Sequence, residues 1–524
     1  MFSSLDGVRN LLRTDSLVLF LSAWIILSIW AGYTIGISLM VPFAAMGLLF
    51  FHKKWDEKSS IGFYEKILVS LIGLGAAFVF FIIQGGYDLS ADSAVPFASS
   101  VITESIPLTY APFFDVPFLY PAGVPALVSQ LTAWGGSFHF WSWVLGWIGL
   151  LFFFTAIIKI AKKLFSFPEV GVWAAILLLG VRVPFHSLLT GEYSLLVSLG
   201  IGLYACYFSL TNRKEVSWIC WGASFLCHPY GFAIAFLTGI ILSPTVRKTI
   251  EGALFTVAVG IPVLVHQIIP FVTMGGGTVV LVPVSLGISL ISFFFLSGPV
   301  LVLMFLSAIL LSLLKKIPPI PVSLILLFFI GLFGYVFGSF LPQLIIIGKM
   351  TYVSTIAAIL GGSYCLSSLG KRTHLAVKAG IVLLCLLLIF TSSSLIGQAY
   401  GTKATLSESE ATARFSDAFP NASSVLFVSR GQGKMSQFAG TKPIDPLSTH
   451  FFTSFLRENT SLEEMILIRD DVRQYKEAFS QKCVSCMYLF DWDYLVINTS
   501  EFPSTPEETP VWSWKEFVAY RRSP

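Results

Sequence analysis

The chain has 524 residues, of which 55% are hydrophobic and only 12% are charged, and its formal net charge is +4. Soluble domains carry about 25% charged residues, so this composition excludes an ordinary soluble protein and is typical of a protein embedded in a membrane. The small positive charge does not indicate a nucleic-acid partner, because in such a chain the positions of Lys and Arg relative to the apolar runs matter more than their sum.

Apolar runs of roughly 18 or more residues, the length of a helix that crosses a bilayer, recur along the sequence. They predict an α-helical polytopic membrane protein with about 13 crossings, two of which form a hairpin of short helices broken at His228-Pro229. A further segment, 120–134, is short and interrupted by Pro and Gly, and we predict that it lies in the outer interface. The predicted crossings are 16–35, 36–51, 62–84, 139–158, 168–189, 192–210, 216–228, 229–242, 250–272, 291–314, 322–340, 350–369 and 375–396.

Basic residues in the short loops all fall on one side of this topology, as the positive-inside rule requires of cytoplasmic loops. The sequence therefore predicts a protein of the cell (plasma) membrane with a cytoplasmic N-terminus and an extracytoplasmic C-terminal domain. The basic clusters are Lys53-Lys54, Lys159 with Lys162 and Lys163, Arg213-Lys214, Arg247-Lys248, Lys315-Lys316 and Lys371-Arg372.

The composition becomes polar after the last apolar run, which predicts a transmembrane domain at 1–396 and an extracytoplasmic soluble domain at 397–524. In the soluble part, the apolar stretches 424–428 and 494–498 predict strands and the stretch 461–479 predicts a helix. These elements indicate a small α/β or α+β domain. Cys483 and Cys486 are interpreted as a local disulfide or as two inert thiols.

The predicted outer loop at 85–123 is the most acidic part of the transmembrane domain, with Asp88, Asp92, Glu104 and Asp115 and no Lys or Arg. Asp88 and Asp92 are four residues apart and share one face of a helical turn. A carboxylate close to the membrane, where the dielectric constant falls, suits a general base that deprotonates a hydroxyl, or a ligand for a cation. The alternative is that these are solvated loop carboxylates or a helix cap.

The order of features in this loop resembles the GT-C class of integral-membrane glycosyltransferases. The pattern is Asp92-Ser-Ala-Val, then Ser105-Ile-Pro-Leu, then Tyr120-Pro121-Ala-Gly123 at the start of the next segment. The resemblance implies transfer of a sugar from a polyprenyl phosphate or diphosphate donor on the outer membrane face.

Three later features lie where the class would have them: Thr190-Gly191-Glu192-Tyr193, His228-Pro229, and Lys349 at the start of a late crossing. Each of the three residues also has an alternative interpretation. Glu192 is suited to cap the helix that begins at Tyr193, and His228 is suited to a structural hydrogen bond. Lys349 is suited to reach lipid headgroups with its ammonium. Arg182 and His186 are four residues apart, so they either face the same cavity and attract phosphate or mark the interface. The site that the resemblance implies consists of catalytic Asp92, Asp88 and Glu192, and of substrate-binding Lys349, Arg182, His228, Tyr120 and Glu104.

Two departures from the class pattern limit the assignment. Pro96 and Phe97 occupy the neighbourhood in which the class often has a His, which leaves the choice of base open between Asp88 and Asp92. Asp491-Trp492-Asp493 is only superficially similar to the signature of oligosaccharyltransferases, so transfer of a single sugar is favoured over transfer of a whole oligosaccharide.

The sequence thus predicts a glycosyltransferase of the cell envelope. Its predicted partners are a polyprenyl-phosphate sugar donor, a lipid, glycan or protein acceptor, and membrane lipids, with no nucleic acid. The only cofactor that the acidic residues suggest is a divalent cation. The rival hypotheses are a transporter or lipid flippase, whose charges would line a pathway through the bundle, and a non-catalytic scaffold subunit of the same architecture.

Overall fold

The computed structural model describes most of the helical part of the chain and most of the C-terminal sheet. The described residues are 14–34, 42, 94–102, 105–108, 118, 120–136, 138–167, 169–178, 180–189, 191–243, 246–269, 286–338, 349–369, 406–422, 424–428, 442–443, 474, 478, 481–489, 492–502 and 508–522.

Fourteen α-helices of the apolar part lie within these ranges. They are α1 (Thr14–Thr34), α2 (Ala94–Val101), α3 (Gly123–Ala133), α4 (Phe138–Leu164), α5 (Val170–Leu178), α6 (Val183–Leu189), α7 (Tyr193–Leu210), α8 (Lys214–Cys227), α9 (Pro229–Leu242), α10 (Val246–Val263), α11 (Leu286–Ser297), α12 (Pro299–Leu313), α13 (Val322–Gly338) and α14 (Thr351–Leu369), and α10 continues into a π-helical turn, Leu264–Ile268.

Within the described part of the chain, five helices are long and apolar enough to cross a membrane, and a bent pair supplies a sixth crossing if it counts as one. The protein therefore has the character of a helical membrane protein. The number of about 13 crossings stays a prediction, because the predicted crossings 36–51, 62–84 and 375–396 lie outside the described residues.

The centre of the bundle is formed by helices that are apolar on all sides. Nearly every residue of α7 and of α14 is buried, and α7 packs against α4, α8 and α9. Such helices have no polar face because none of their sides meets water. On the outside, α10 and its π turn expose one apolar stripe, which suits contact with lipid; it consists of Ile250, Leu254, Val257, Ile261, Val265 and Ile269.

Two predicted crossings are not continuous helices. The segment 168–189 is divided into α5 and α6, because Pro184 in an unbroken helix would clash with the carbonyl of Gly180 four residues earlier. The segment 291–314 is divided at Gly298, whose φ is +90°, and α11 and α12 meet there at 92°. Neither break was predicted from the sequence.

The predicted hairpin of short helices is confirmed. α8 and α9 have 14 residues each, about 21 Å by the rise of an α-helix and less than the roughly 30 Å of a bilayer core. His228 between them is extended, with φ −166° and ψ 115°.

The segment predicted for the outer interface forms α3, most of which is buried. Two hydrogen bonds connect it to α1: Trp24 Nε1 donates to Gln130 at 2.7 Å, and the amide of Gln130 donates to Ser28 at 2.8 Å.

A buried ion pair joins α1 to α4. Lys159 lies one turn before the end of α4, and its Nζ donates to the carboxylate of Asp15 at the start of α1. The exposed fractions of the two side chains are 6% and 16%, and the ammonium also lies 5.4 Å and 5.2 Å from the ring centres of Tyr204 and Tyr207. Lys159, which the sequence groups with Lys162 and Lys163 in a basic cluster at the end of a crossing, is part of the core. Which side of the membrane this end faces stays a prediction.

The C-terminal part contains a five-stranded sheet and one described helix that packs against it. The strands predicted at 424–428 and 494–498 are confirmed, whereas the predicted helix 461–479 falls largely outside the described residues. The sheet order is β2-β1-β3-β5-β4, with β1, β2 and β3 parallel and β4 and β5 antiparallel. The elements are α15 (Leu406–Ala418), β1 (Ser424–Val428), β2 (Lys442–Pro443), β3 (Tyr494–Asn498), β4 (Trp512–Trp514) and β5 (Phe517–Arg521).

Both faces of this sheet are covered. Phe415 of α15 packs on one face with Val425 and Val496, and Met487 and Trp492 pack on the other with further side chains of β1 and β3. Burial on both faces accounts for the continuous apolar character of β1 and β3, which is typical of parallel strands.

Cys483 and Cys486 form a disulfide, which is one of the two interpretations that the sequence left open. Its closed loop is short, so we expect the C483S/C486S double variant to lose only about 2 kcal/mol of domain stability. The bond also reports on the compartment, because disulfides persist outside the cytoplasm. Mass spectrometry after thiol alkylation without reductant should find both cysteines unmodified. If both are alkylated in protein from intact cells, the predicted extracytoplasmic location is wrong.

Candidate functional site

An ion pair between Glu192 and Lys349 connects the loop before α7 to the residues that precede α14. One carboxylate oxygen, Oε1, accepts from the Lys349 ammonium, and the other, Oε2, accepts from the hydroxyl of Ser187 at 2.5 Å. Glu192 occupies the N-cap position of α7, but its side chain makes no capping hydrogen bond. Of the two interpretations of Glu192, the cap is therefore wrong, and the carboxylate is turned toward other elements.

A chain of hydroxyl groups continues from this carboxylate into the core. Tyr352, fully buried in α14, donates from its hydroxyl to Ser187 Oγ at 2.8 Å, and Ser187 in turn donates to Glu192. Because each of its oxygens has a donor, the carboxylate is held in a single orientation. The side chains of Glu192 and Lys349 are 22% and 23% exposed, so the pair is accessible at the edge of the bundle.

Arg182 lies in the gap between α5 and α6, not on a continuous helix. The side chain is buried, and its guanidinium carbon lies 4.3 Å from the centre of the Phe295 ring. Nη1 has no hydrogen-bond partner among the residues that the structure describes. The side chain of His186, which the sequence pairs with Arg182, lies outside the described part. Whether Arg182 faces a cavity or marks the membrane interface stays a prediction.

His228 lies at the apex of the α8–α9 hairpin. Its carbonyl accepts from the hydroxyl of Ser198 in α7 at 2.9 Å, and the same hydroxyl lies 2.7 Å from the carbonyl of Ser224. The imidazole is half-buried next to the ring of Tyr230, and within the described ranges its Nδ1 has no hydrogen-bond partner. Ser198 comes six residues after Glu192, so the apex lies about 9 Å further along the axis of α7 than the ion pair.

The Tyr-Pro-Ala-Gly segment at the start of α3 lies against the same apex. A Cβ on Gly123 would come within 2.6 Å of the carbonyl oxygen of Leu226, so only glycine permits this contact with the end of α8. Tyr120, three residues earlier, is half-buried against the helical core. The structure therefore brings together two of the features on which the resemblance rests, Gly123 and His228.

Three of the predicted site residues, Asp88, Asp92 and Glu104, lie outside the described residues. In the ranges that are described, no three His, Cys, Asp or Glu side chains come close enough together to hold a metal ion. The divalent cation, whose predicted ligands include Asp88 and Asp92, stays a prediction.

Sequence reasoning missed Ser187 and Tyr352, although both belong to the hydrogen-bond chain that ends on Glu192. Hydroxyl side chains are common in apolar helices, so Ser187 could not be recognised from the sequence. Tyr352 could have been noticed, because it lies three residues after Lys349 on the first turn of α14. Comparison of the sequence with models of known protein families and with curated proteins gave no match.

Proposed function

We propose that the protein is a membrane glycosyltransferase that moves a single sugar from a polyprenyl-phosphate donor to a hydroxyl of a lipid, glycan or protein acceptor. The observation that carries the proposal is the ion pair between Glu192 and Lys349, which are 157 residues apart in sequence. These are the two positions at which the GT-C resemblance expects an acidic residue of the second outer loop and a cation for the donor phosphate.

In the proposed reaction, Asp92, or Asp88 in its place, takes the proton of the acceptor hydroxyl as general base. The hydroxyl oxygen attacks the anomeric carbon, the bond from that carbon to the phosphate oxygen breaks, and the configuration inverts. The polyprenyl phosphate leaves with the bonding electrons. Lys349 and Arg182 would stabilise its growing negative charge, as fixed cations do at such sites.

The remaining residues have supporting roles in this proposal. Glu192 orients Lys349 and the acceptor or a divalent cation, while His228, Tyr120 and Glu104 contribute to the walls of the substrate pocket. The site would face the outside of the cell membrane, where the C-terminal domain would help to select the acceptor.

The test is sugar transfer in membranes that are supplied with radiolabelled polyprenyl-phosphate sugars. We expect Asp92→Asn to reduce transfer at least 100-fold while the protein remains folded, because the reaction would lose its general base. If sugar transfer is lost only in Asp88→Asn, the proposed reaction stands and the general base is Asp88. The matched control is Glu215→Gln, the same chemical change on an exposed side chain at the start of α8, which should transfer normally.

The broken helices favour a second candidate, a transporter or lipid flippase. Discontinuous helices that meet inside the bundle form the binding sites of many transporters, and this chain has such breaks at His228 and at Gly298. If no donor supports sugar transfer, but reconstituted vesicles accumulate or flip a phosphate-bearing substrate, this second function replaces the first.

A further inference from the structure

The Arg182 side chain is a buried cation, and a buried cation requires a negatively charged partner. Only 7% of the residue is exposed, and its guanidinium lies against the ring of Phe295, a contact that compensates part of the lost hydration. Moving a guanidinium out of water without an acidic partner is far more costly than burying a neutral side chain.

The carboxylate that lies nearest in sequence is not free to supply that charge. Glu192 follows α6, whereas Arg182 precedes it, and seven residues of α6 span about 10 Å. Both oxygens of Glu192 already have donors, namely Lys349 and Ser187. Lys349 is neutralised by this pair, but no acidic side chain among the described residues forms an ion pair with Arg182.

The break between α11 and α12 lies beside Arg182 and offers further donors. A Cβ on Gly298 would be 3.0 Å from the carbonyl oxygen of Gly180, which brings the segment before Arg182 against the break. Ser297 is fully buried, and its hydroxyl also has no partner within the described part of the chain. The first turn of α12 begins at Pro299, and the amides of such a turn have no acceptor within their own helix.

All of these hydrogen-bond donors favour an anion such as a phosphate group as their ligand. A guanidinium binds phosphate oxygens through a planar pair of N–H groups, and a helix N-terminus favours a negative charge through its free amides and its dipole. Ile291 and Leu303, on the two helices that meet at the break, are 71% and 57% exposed, and Phe295 against Arg182 is 38% exposed, so the surface next to the break suits contact with lipid.

We propose that Arg182, Ser297 and the N-terminal amides of α12 form a binding site for the phosphate group of a lipid. The site follows from burial and unpartnered donors. It rests on the proposed function only where the lipid is identified as the polyprenyl-phosphate donor.

The test is binding of farnesyl phosphate to the purified full-length protein in detergent, followed by native mass spectrometry. We expect Arg182→Gln to weaken binding at least tenfold, Arg182→Lys to weaken it less, and Ser297→Ala to weaken it about threefold, as expected for loss of one neutral hydrogen bond. The matched control is Arg213→Gln, which removes an Arg that lies 5.9 Å from the Phe208 ring at the opposite end of α7 and should bind as the wild type does.

Two further ligands distinguish the phosphate of a lipid from free phosphate. Farnesol should fail to bind at Arg182, and inorganic phosphate should bind far more weakly than farnesyl phosphate. Equal binding of inorganic phosphate and farnesyl phosphate would overturn the assignment to a lipid, and unchanged binding in folded Arg182→Gln would overturn the site itself.

A measurement on the wild-type protein covers the case in which Arg182→Gln does not fold. Farnesyl phosphate should slow hydrogen–deuterium exchange at the first free amides of α12, those of Val300 and Leu301, but not at the first amides of α8, as peptide mass spectrometry can measure. Absence of protection would overturn the site. Sugar transfer without phosphate binding would contradict only this site, whereas phosphate binding without sugar transfer from any donor would contradict only the proposed function.

Discussion

Exchanging the charges of Glu192 and Lys349 in one chain is expected to preserve the fold and to reduce sugar transfer at least 100-fold. The double variant E192K/K349E keeps an ion pair between the same two elements, so the half-buried charges remain compensated. It removes the cation from the position at which it would face the donor phosphate, and loss of one such electrostatic contact costs about 10²–10³ in rate.

The single variants separate folding from function. E192K and K349E each leave two like charges in contact, and we expect both to lower the melting temperature of the detergent-solubilised protein. The double variant should recover most of that loss, as a double-mutant cycle measures directly. Transfer at the wild-type rate by the double variant would show that the pair is structural and would remove it from the proposed site.

Removing one partner of the Asp15–Lys159 pair should give the largest loss of stability. Lys159 is only 6% exposed, so Asp15→Ala would leave a buried ammonium without a counter-charge. Breaking buried pairs in this way costs about 3–5 kcal/mol, a value that sums the lost attraction and the uncompensated charge. Unfolding of the full-length protein in detergent, followed by the fluorescence of its tryptophans, would measure the change.

Two further variants show whether the loss of stability comes from the uncompensated charge. D15L/K159M removes both charges and should be far more stable than either single variant, because apolar replacements of a buried pair are often neutral. Lys163→Met, on an exposed residue one turn further along α4, should change stability by less than about 0.5 kcal/mol. If Asp15→Ala has an effect as small as that of Lys163→Met, the pair is not buried in the native protein.

The sequence was most informative where one property decides the structure. Length and apolar character alone predicted α1, α4, α7 and α14, and the apolar stretches within the polar C-terminal part predicted β1 and β3 with their observed bounds. His228-Pro229 predicted the hairpin, because proline restricts the residue before it regardless of the surroundings. Local chemistry was sufficient in these cases.

Contacts between distant residues could not be predicted in this way. Lys159 has the same sequence context as its solvated neighbours Lys162 and Lys163, and only the packing of α4 against α1 and α7 makes it a core residue. The breaks at Gly180 and Gly298 were missed because each lies in a run whose average apolarity is high enough for a continuous crossing. Glu192 and Lys349 were predicted as site residues, but nothing in their local sequence indicates that they form a pair.

The α8–α9 hairpin also has a consequence for the order in which the chain is built into the membrane. At its apex the carbonyls of Ser224 and His228, which also accept the backbone N–H groups of His228 and Phe232, lie 2.7 Å and 2.9 Å from the hydroxyl of Ser198 in α7. Because α7 is synthesised first, this hydroxyl is already in place when the ribosome delivers the hairpin. Neither half is long enough to integrate as a separate crossing, so the two halves must enter together, as one unit docking on a helix that precedes them.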